Sequence, residues 1–161
     1  QRQMCIRDRN LYEPIFYNGK ADIKGGKKYP NISGEVFFKE TKLGILITVK
    51  ISGLPTSKDK CSGNFFGFHI HEGTSCTGNS EDEFANSKSH YNPNNCKHPF
   101  HSGDLPPLLE NNGFAYSSFL VNKFNIKEII GKVIIVHSLP DDFTTQPSGN
   151  SGIKIACGKI K

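Results

Sequence analysis

The sequence predicts an all-β domain of about eight short strands closed into a sandwich or barrel. Apolar residues gather in short β-branched or aromatic runs such as "GILITVKISG" and "GKVIIVHS", with no sustained 3.6-residue period. Gly, Pro and Asn punctuate the chain between these runs, Trp is absent, and only 35% of residues are hydrophobic. That profile suits many turns better than long helices. The length of 161 residues is enough for one well-cored domain and too short to expect two.

The first ten residues, "QRQMCIRDRN", are dense in Arg, whereas the rest of the chain uses Lys as its basic residue. They also lack the apolar centre of a signal peptide. Residues 1–20 are therefore read as a disordered or non-native segment and residues 21–161 as the domain. A polar, Gly-rich lead-in, "NGKADIKGGKKYP", precedes two strands, "ISGEVFFKE" and "GILITVKISGLP", which are separated at Thr41-Lys42 and stopped by Gly53 and Pro55. "NFFGFHIHE" is aromatic and alternating, hence a further strand. From Gly73 to about Gly103 no apolar period runs. A loop of that length in a small domain is usually functional, disordered, or held by something other than a core. Strand-like runs resume at "DLPPLLE", at "FAYSSFLV" after the turn Asn111-Asn112-Gly113, and at "GKVIIVHS", with one short helical turn at "NIKEII". A second polar loop, "PDDFTTQPSGNSG", leads to the last strand, "IKIACGKIK".

The formal charge of +5 is a mild basic excess, with lysines scattered and few aromatics among them. That is not a nucleic-acid footprint, and none is expected to bind. No apolar stretch approaches the ~20 residues of a membrane helix. The five cysteines, Cys5, Cys61, Cys76, Cys96 and Cys157, leave one over, and Cys5 lies in the suspect segment. The other four suffice for two disulfides or remain buried thiols, and the spacing does not choose between them. None forms a C-x-x-C pair, which argues against a thiolate zinc site.

The histidines carry the chemistry. His69 and His71 flank one isoleucine on a strand, so both imidazoles look the same way. His90, His98 and His101 fall in the long loop, followed closely by Asp104, and His137 ends the apolar run "VIIVH". None lies in the first third of the chain. Three histidines and one aspartate match zinc's tetrahedral demand, and a strand His pair joined by a histidine from a later strand is a natural start for a copper site. A loop without a core of its own is also what a metal can hold in place.

In chain order, "GFHIHE", "HYNP", "HSGDL", "VIIVHSLPDD" and "GNSGIKIACGKI" closely resemble the copper–zinc superoxide dismutase family, over nearly all of the chain from about Ala21. The resemblance implies an immunoglobulin-like, eight-stranded Greek-key barrel or sandwich with a long metal-binding loop, and the cofactors copper and zinc. His69, His71, His90 and His137 would bind copper; His90, His98, His101 and Asp104 would bind zinc, with His90 bridging the two and carrying a proton in catalysis. Asp141 would link a copper ligand, His69, to a zinc ligand, His98. Cys76 and Cys157 would form the intrasubunit disulfide, while Cys61 and Cys96 lie outside the pattern and are either a second bridge or free. The implied partner is the superoxide anion, and the protein is expected to be a monomer or homodimer. Its expected site is extracytoplasmic (periplasmic, cell-surface or secreted), with any export signal lost along with the native N-terminus.

Two departures qualify the resemblance. Where most members carry an arginine beside the copper, this chain has Lys154, a mobile point charge in place of a rigid fork, so weaker positioning of the anion is expected. The second loop is short and keeps few charges beyond Asp141 and Asp142, as in bacterial members. A metal-binding protein of the same fold with little dismutase activity is the main alternative. A purely structural zinc-held sandwich fits less well, since no copper ligand is missing. A copper electron-transfer protein would need a soft axial ligand, and the one methionine, Met4, is in the suspect segment.

Overall fold

The computed structural model describes residues 16–59, 61 and 65–161. Nine strands appear among them: β1 (Gly19–Gly25), β2 (Ser33–Thr41), β3 (Gly44–Ser52), β4 (Phe65–Phe66), β5 (Phe68–His71), β6 (Leu108–Leu109), β7 (Phe114–Val121), β8 (Val133–His137) and β9 (Lys154–Lys159). A single helical turn, α1 (Ile126–Ile129), starts where the Asn125 N–H donates to Glu128 Oε2 at 2.6 Å. Seven strands form one curled antiparallel sheet in the order β5-β8-β9-β1-β2-β3-β7, and β4 pairs with β6 apart from it.

Three expectations shift. β1 falls in what reads as a polar lead-in and begins at Gly19, two residues ahead of the expected boundary at Ala21. Its alternation is real but short: Ala21 and Ile23 are buried while Lys20 faces Asp22 and Glu35 at 2.8 and 2.6 Å. The run "NFFGFHIHE" is two strands, because Gly67 leaves the ladder to bond Leu139 and His137 through its backbone. "DLPPLLE" yields only the two residues of β6, since Pro106 and Pro107 have no N–H to give to a ladder. Cys5 lies outside the described residues.

The core lies inside the curl. Val36, Phe38, Ile47, Val49 and Ile51 of β2 and β3 meet Phe68 and Ile70 of β5 and Ile134 and Val136 of β8, all fully buried. β8 is buried on both faces. Ile134 and Val136 point into the core, whereas Val133 and Ile135 join Phe84, Cys157 and Cys76 in a second apolar cluster on the other face. Strand alternation thus sorts β5 as well: Phe68 and Ile70 go inward, and His69 and His71, opposite Ile135 and Val133, go outward.

The long loop covers that outward face. Its backbone returns along β5 through Ile70 N–H to Gly103 O, Tyr91 N–H to Ile70 O and Glu72 N–H to Ser89 O. Buried Phe84 and Tyr91 give it apolar anchors, and a Cys76–Cys157 disulfide ties it to β9 across a separation of 81 residues. So long a closed loop removes much entropy from the unfolded chain. Replacing Cys76 by Ser is expected to lower stability by about 2–5 kcal/mol, read as an earlier guanidinium midpoint at an unchanged slope.

Candidate metal centre

Six imidazoles meet between β5, the end of β8 and the covering loop. All are buried, with exposures from 0% (His69) to 6% (His101). β5 presents His69 and His71 two residues apart. A register shift between Val136 and His137 re-aims His137 beside Lys154 of β9, a frequent use of a bulge. The loop lies against β5 so that His71 bridges His90 and His69 bridges Asp104.

His90 is at the centre. Its ring centroid is 4.0 Å from His69, 4.9 Å from His71, 5.5 Å from His101, 5.9 Å from His98 and 6.0 Å from His137. Two four-residue sets share it: His69, His71, His90, His137, and His90, His98, His101, Asp104. The ligand atoms within each lie inside 4.8 Å of one another.

Second partners set the tautomers. Asp141 Oδ2 accepts from His69 Nε2 at 2.8 Å, and its Oδ1 accepts from His98 Nε2 at 2.8 Å and from the Phe143 N–H at 2.7 Å. His69 and His98 therefore keep an Nδ1 lone pair. The Lys88 carbonyl accepts from His71 Nδ1 at 2.8 Å, which leaves His71 Nε2 unprotonated, 3.3 Å from His137 Nε2. Asp104 Oδ1 faces His90 Nδ1 at 2.7 Å, and its Oδ2 lies 3.1 and 3.3 Å from the Nδ1 atoms of His98 and His101.

Among the described residues, His69 Nδ1, His90 Nε2, His98 Nδ1, His101 Nδ1 and His137 Nδ1 are buried without a hydrogen bond. Each such atom costs roughly 1–3 kcal/mol. All five belong to residues of the two sets, where a cation in each would give unpartnered imidazole nitrogens a partner. The donor chemistry agrees: all-imidazole on one side suits copper, and three imidazoles with a carboxylate on the other suit zinc.

Burial is the main force on the histidine protons. It pushes His69, His71 and His137 below the ordinary imidazole value, with neighbouring imidazoles pushing the same way; His137 falls to about 3. At His69 the Asp141 carboxylate opposes the shift. Burial alone would raise the Asp141 carboxyl, but hydrogen bonds from His69, Phe143 N–H and His98 outweigh it and hold it at about 2. A neutral His69 imidazole donating to an ionised Asp141 carboxylate is the result.

Comparison with known proteins identifies the arrangement. Residues 32–160 match the copper/zinc superoxide dismutase family (SODC). The chain belongs to that family. A copper–zinc superoxide dismutase of Aquifex aeolicus is 31% identical over 87% of this chain and 88% of its own length. The copper/zinc superoxide dismutase of Brucella abortus superposes with a TM-score of 0.74 at 26% identity, over 88% of this chain and 98% of the other. A SOD-like protein of Bacillus subtilis superposes with a TM-score of 0.72 at 28% identity, over 89% and 98%. The fold is accordingly the family's Greek-key barrel, and its cofactors are copper and zinc.

One alternative left open by the sequence is decided, and one expectation needs correcting. Cys61 and Cys96 are both free and exposed, so no second bridge clamps the loop. Lys154 is no mobile charge: Nζ lies 2.7 Å from Asp82 Oδ2 and donates to the Phe84 carbonyl at 3.3 Å, with its side chain 16% exposed. Other supports went unseen in the sequence. Gln146 clips His98 by donating to its carbonyl at 2.7 Å and accepting from its N–H at 3.0 Å. Lys123 donates to the carbonyls of His101 and Asp104 at 3.2 Å each. Gly149, at φ +67°, backs directly onto Asp141 and His98, where a Cβ would collide with their hydrogen bond. Nothing in the local sequence marks Gln146, Lys123 or Asp82; only the fold brings them to the site.

Asp141→Asn removes the charged acceptor from both His69 and His98. Zinc affinity is expected to fall roughly 10- to 100-fold, measured by competition with a chromophoric chelator. A pH dependence follows as well. The depressed histidines stabilise the metal-free fold fully above the unfolded value of 6.5, and that contribution is lost as pH falls toward their folded values. Asp141 adds a further loss below its unfolded value of 3.8. Chelator-treated protein is therefore expected to melt several degrees lower at about pH 5 than at about pH 7.5.

Proposed function

We propose that this protein disproportionates superoxide to oxygen and hydrogen peroxide at a copper centre held by His69, His71, His90 and His137, with zinc held by His90, His98, His101 and Asp104. The observation that carries the reading is the sharing of buried His90 between two complete ligand sets. Copper supplies the one-electron redox chemistry, and zinc, which has none, supplies structure.

The chain's own residues account for the rest. His90 is anchored through Nδ1 on the Asp104 side, so its Nε2 is the atom able to hold and release a proton beside the cavity. His71, His90, His137 and Lys154 line an open cavity of about 1170 Å³, which gives a small anion direct access. Lys154 places a cation at its wall, though one already shared with Asp82. The Cys76–Cys157 disulfide supports an extracytoplasmic, oxidising compartment.

A second reading is a copper- and zinc-binding protein of this fold with little dismutase activity. The Lys154–Asp82 pair favours it, since it reduces the pull on an anion where the family usually has an arginine. The test compares superoxide dismutation by protein reconstituted with copper and zinc against protein given zinc alone. Copper-dependent dismutation is expected; stoichiometric copper binding with no gain over the zinc form would select the second reading.

A further inference from the structure

His98 is held by a loop other than its own. It is 3% exposed, so its peptide N–H and carbonyl need partners inside the protein. Among the described residues, its own segment gives it none. Asn92 closes the preceding turn on Cys96, accepting from the Cys96 N–H and donating to the Cys96 carbonyl at 2.9 Å each. The Phe100 N–H passes over His98 to the Lys97 carbonyl at 2.8 Å. Pro99, next in the chain, has no N–H to offer.

Gln146 supplies both partners. Its Nε2 donates to the His98 carbonyl at 2.7 Å, and its Oε1 accepts from the His98 N–H at 3.0 Å. Only one orientation of the amide satisfies both bonds, so the contact fixes the side chain as well as the backbone. The loop beneath Gln146 is itself braced. Asp142 Oδ1 accepts from the Thr144 and Thr145 N–H groups at 2.9 and 2.8 Å, and the Gly149 N–H donates to the Thr145 carbonyl at 2.7 Å. From the same loop, Asp141 Oδ1 accepts from the His98 ring Nε2 at 2.8 Å. The N–H, the carbonyl and Nε2 of His98 are thus all fixed by the second loop. The ring nitrogen left over, Nδ1, lies 3.1 Å from Asp104 Oδ2 in the zinc set.

The two anchors divide the work. Asp141 also holds His69, a member of the copper set, so it acts on both sets. Among the residues of the two sets, Gln146 bonds only His98, which belongs to the zinc set alone. We propose that Gln146 is a positioning residue for zinc: by fixing the His98 backbone from the second loop, it sets how tightly the zinc set holds its metal and leaves the copper set unaltered. The proposal rests on the zinc reading of His90, His98, His101 and Asp104. Because linkage is reciprocal, zinc fastens the second loop through the same clip.

The test measures zinc affinity by competition with a chromophoric chelator, in protein with its disulfide intact. Gln146→Met keeps the side-chain length and removes both hydrogen bonds. It is expected to weaken zinc binding about tenfold, while the visible absorption of the copper centre at saturating zinc stays as in the wild type. Gln146→Glu keeps the acceptor for the His98 N–H but sets a carboxylate against the His98 carbonyl, and is expected to weaken zinc binding as well. The deciding comparison repeats Gln146→Met in a His98→Ala background. There it is expected to cost less than about twofold, because its route to the metal is gone. Equal losses with and without the His98 imidazole overturn the proposal and make Gln146 a general clasp between loops. Unchanged zinc affinity in Gln146→Met overturns it too, as does a shift in copper absorption as large as that of Asp141→Asn. Failure of the wild-type protein to take up zinc overturns the zinc reading itself, a result distinct from wild-type binding that Gln146→Met leaves unchanged.

Discussion

The Asp141 carboxylate is the interaction on which the rest of the site depends. Its two oxygens accept one imidazole N–H each, from His69 on β5 and from His98 in the covering loop. Three stretches of chain that are far apart in sequence are locked together by one buried, ionised group. Because each histidine gives its Nε2 proton to Asp141, each is left with Nδ1 as a lone pair facing inward. A single carboxylate therefore sets orientation, tautomer and relative position for one member of each metal set. The second loop exists to hold that carboxylate. Asp142 caps it by accepting from Thr144 and Thr145, and Gly149 leaves room for Asp141 to reach His98.

Around this anchor the fold resolves a conflict between burial and polarity. Strand alternation needs β5 and β8 to bury one face in the core, and the opposite face cannot remain in water once a loop covers it. Val133 and Ile135 meet the need with apolar contacts to Phe84, Cys76 and Cys157. A few ångströms away, His69, His71 and His137 meet it with imidazoles kept neutral by burial. That second solution leaves nitrogen lone pairs without partners in the metal-free state, which links the loop's stability to its metals. The disulfide acts on the same loop through the chain entropy of the unfolded state, so the two devices are independent supports.

Much of this was legible beforehand. Short β-branched runs and turn residues pointed to the all-β class, and β2, β3, β7, β8 and β9 lie where such runs occur. The His-x-His spacing on β5, the histidine cluster before Asp104 and the histidine closing "VIIVH" marked the site. What escaped notice was either too short or too distant. β1 has just two inward apolar residues between lysines and glycines, and acquires strand character only by pairing with β2 and β9. Asp82 is one acid in the run "SEDE", and its partnership with Lys154, 72 residues on, is set by how the loop packs on β9.

The sequence by itself determined the fold class, the family and the residue types available for metal, because alternation and ligand spacing are local properties of the chain. Only the tertiary structure decided how the charges are used. Whether a lysine is free or paired depends on which acid the fold brings within 3 Å of it. Lys154 is the clearest case: it is enclosed by Asp82 and the Phe84 carbonyl, which lie some seventy positions away in the chain.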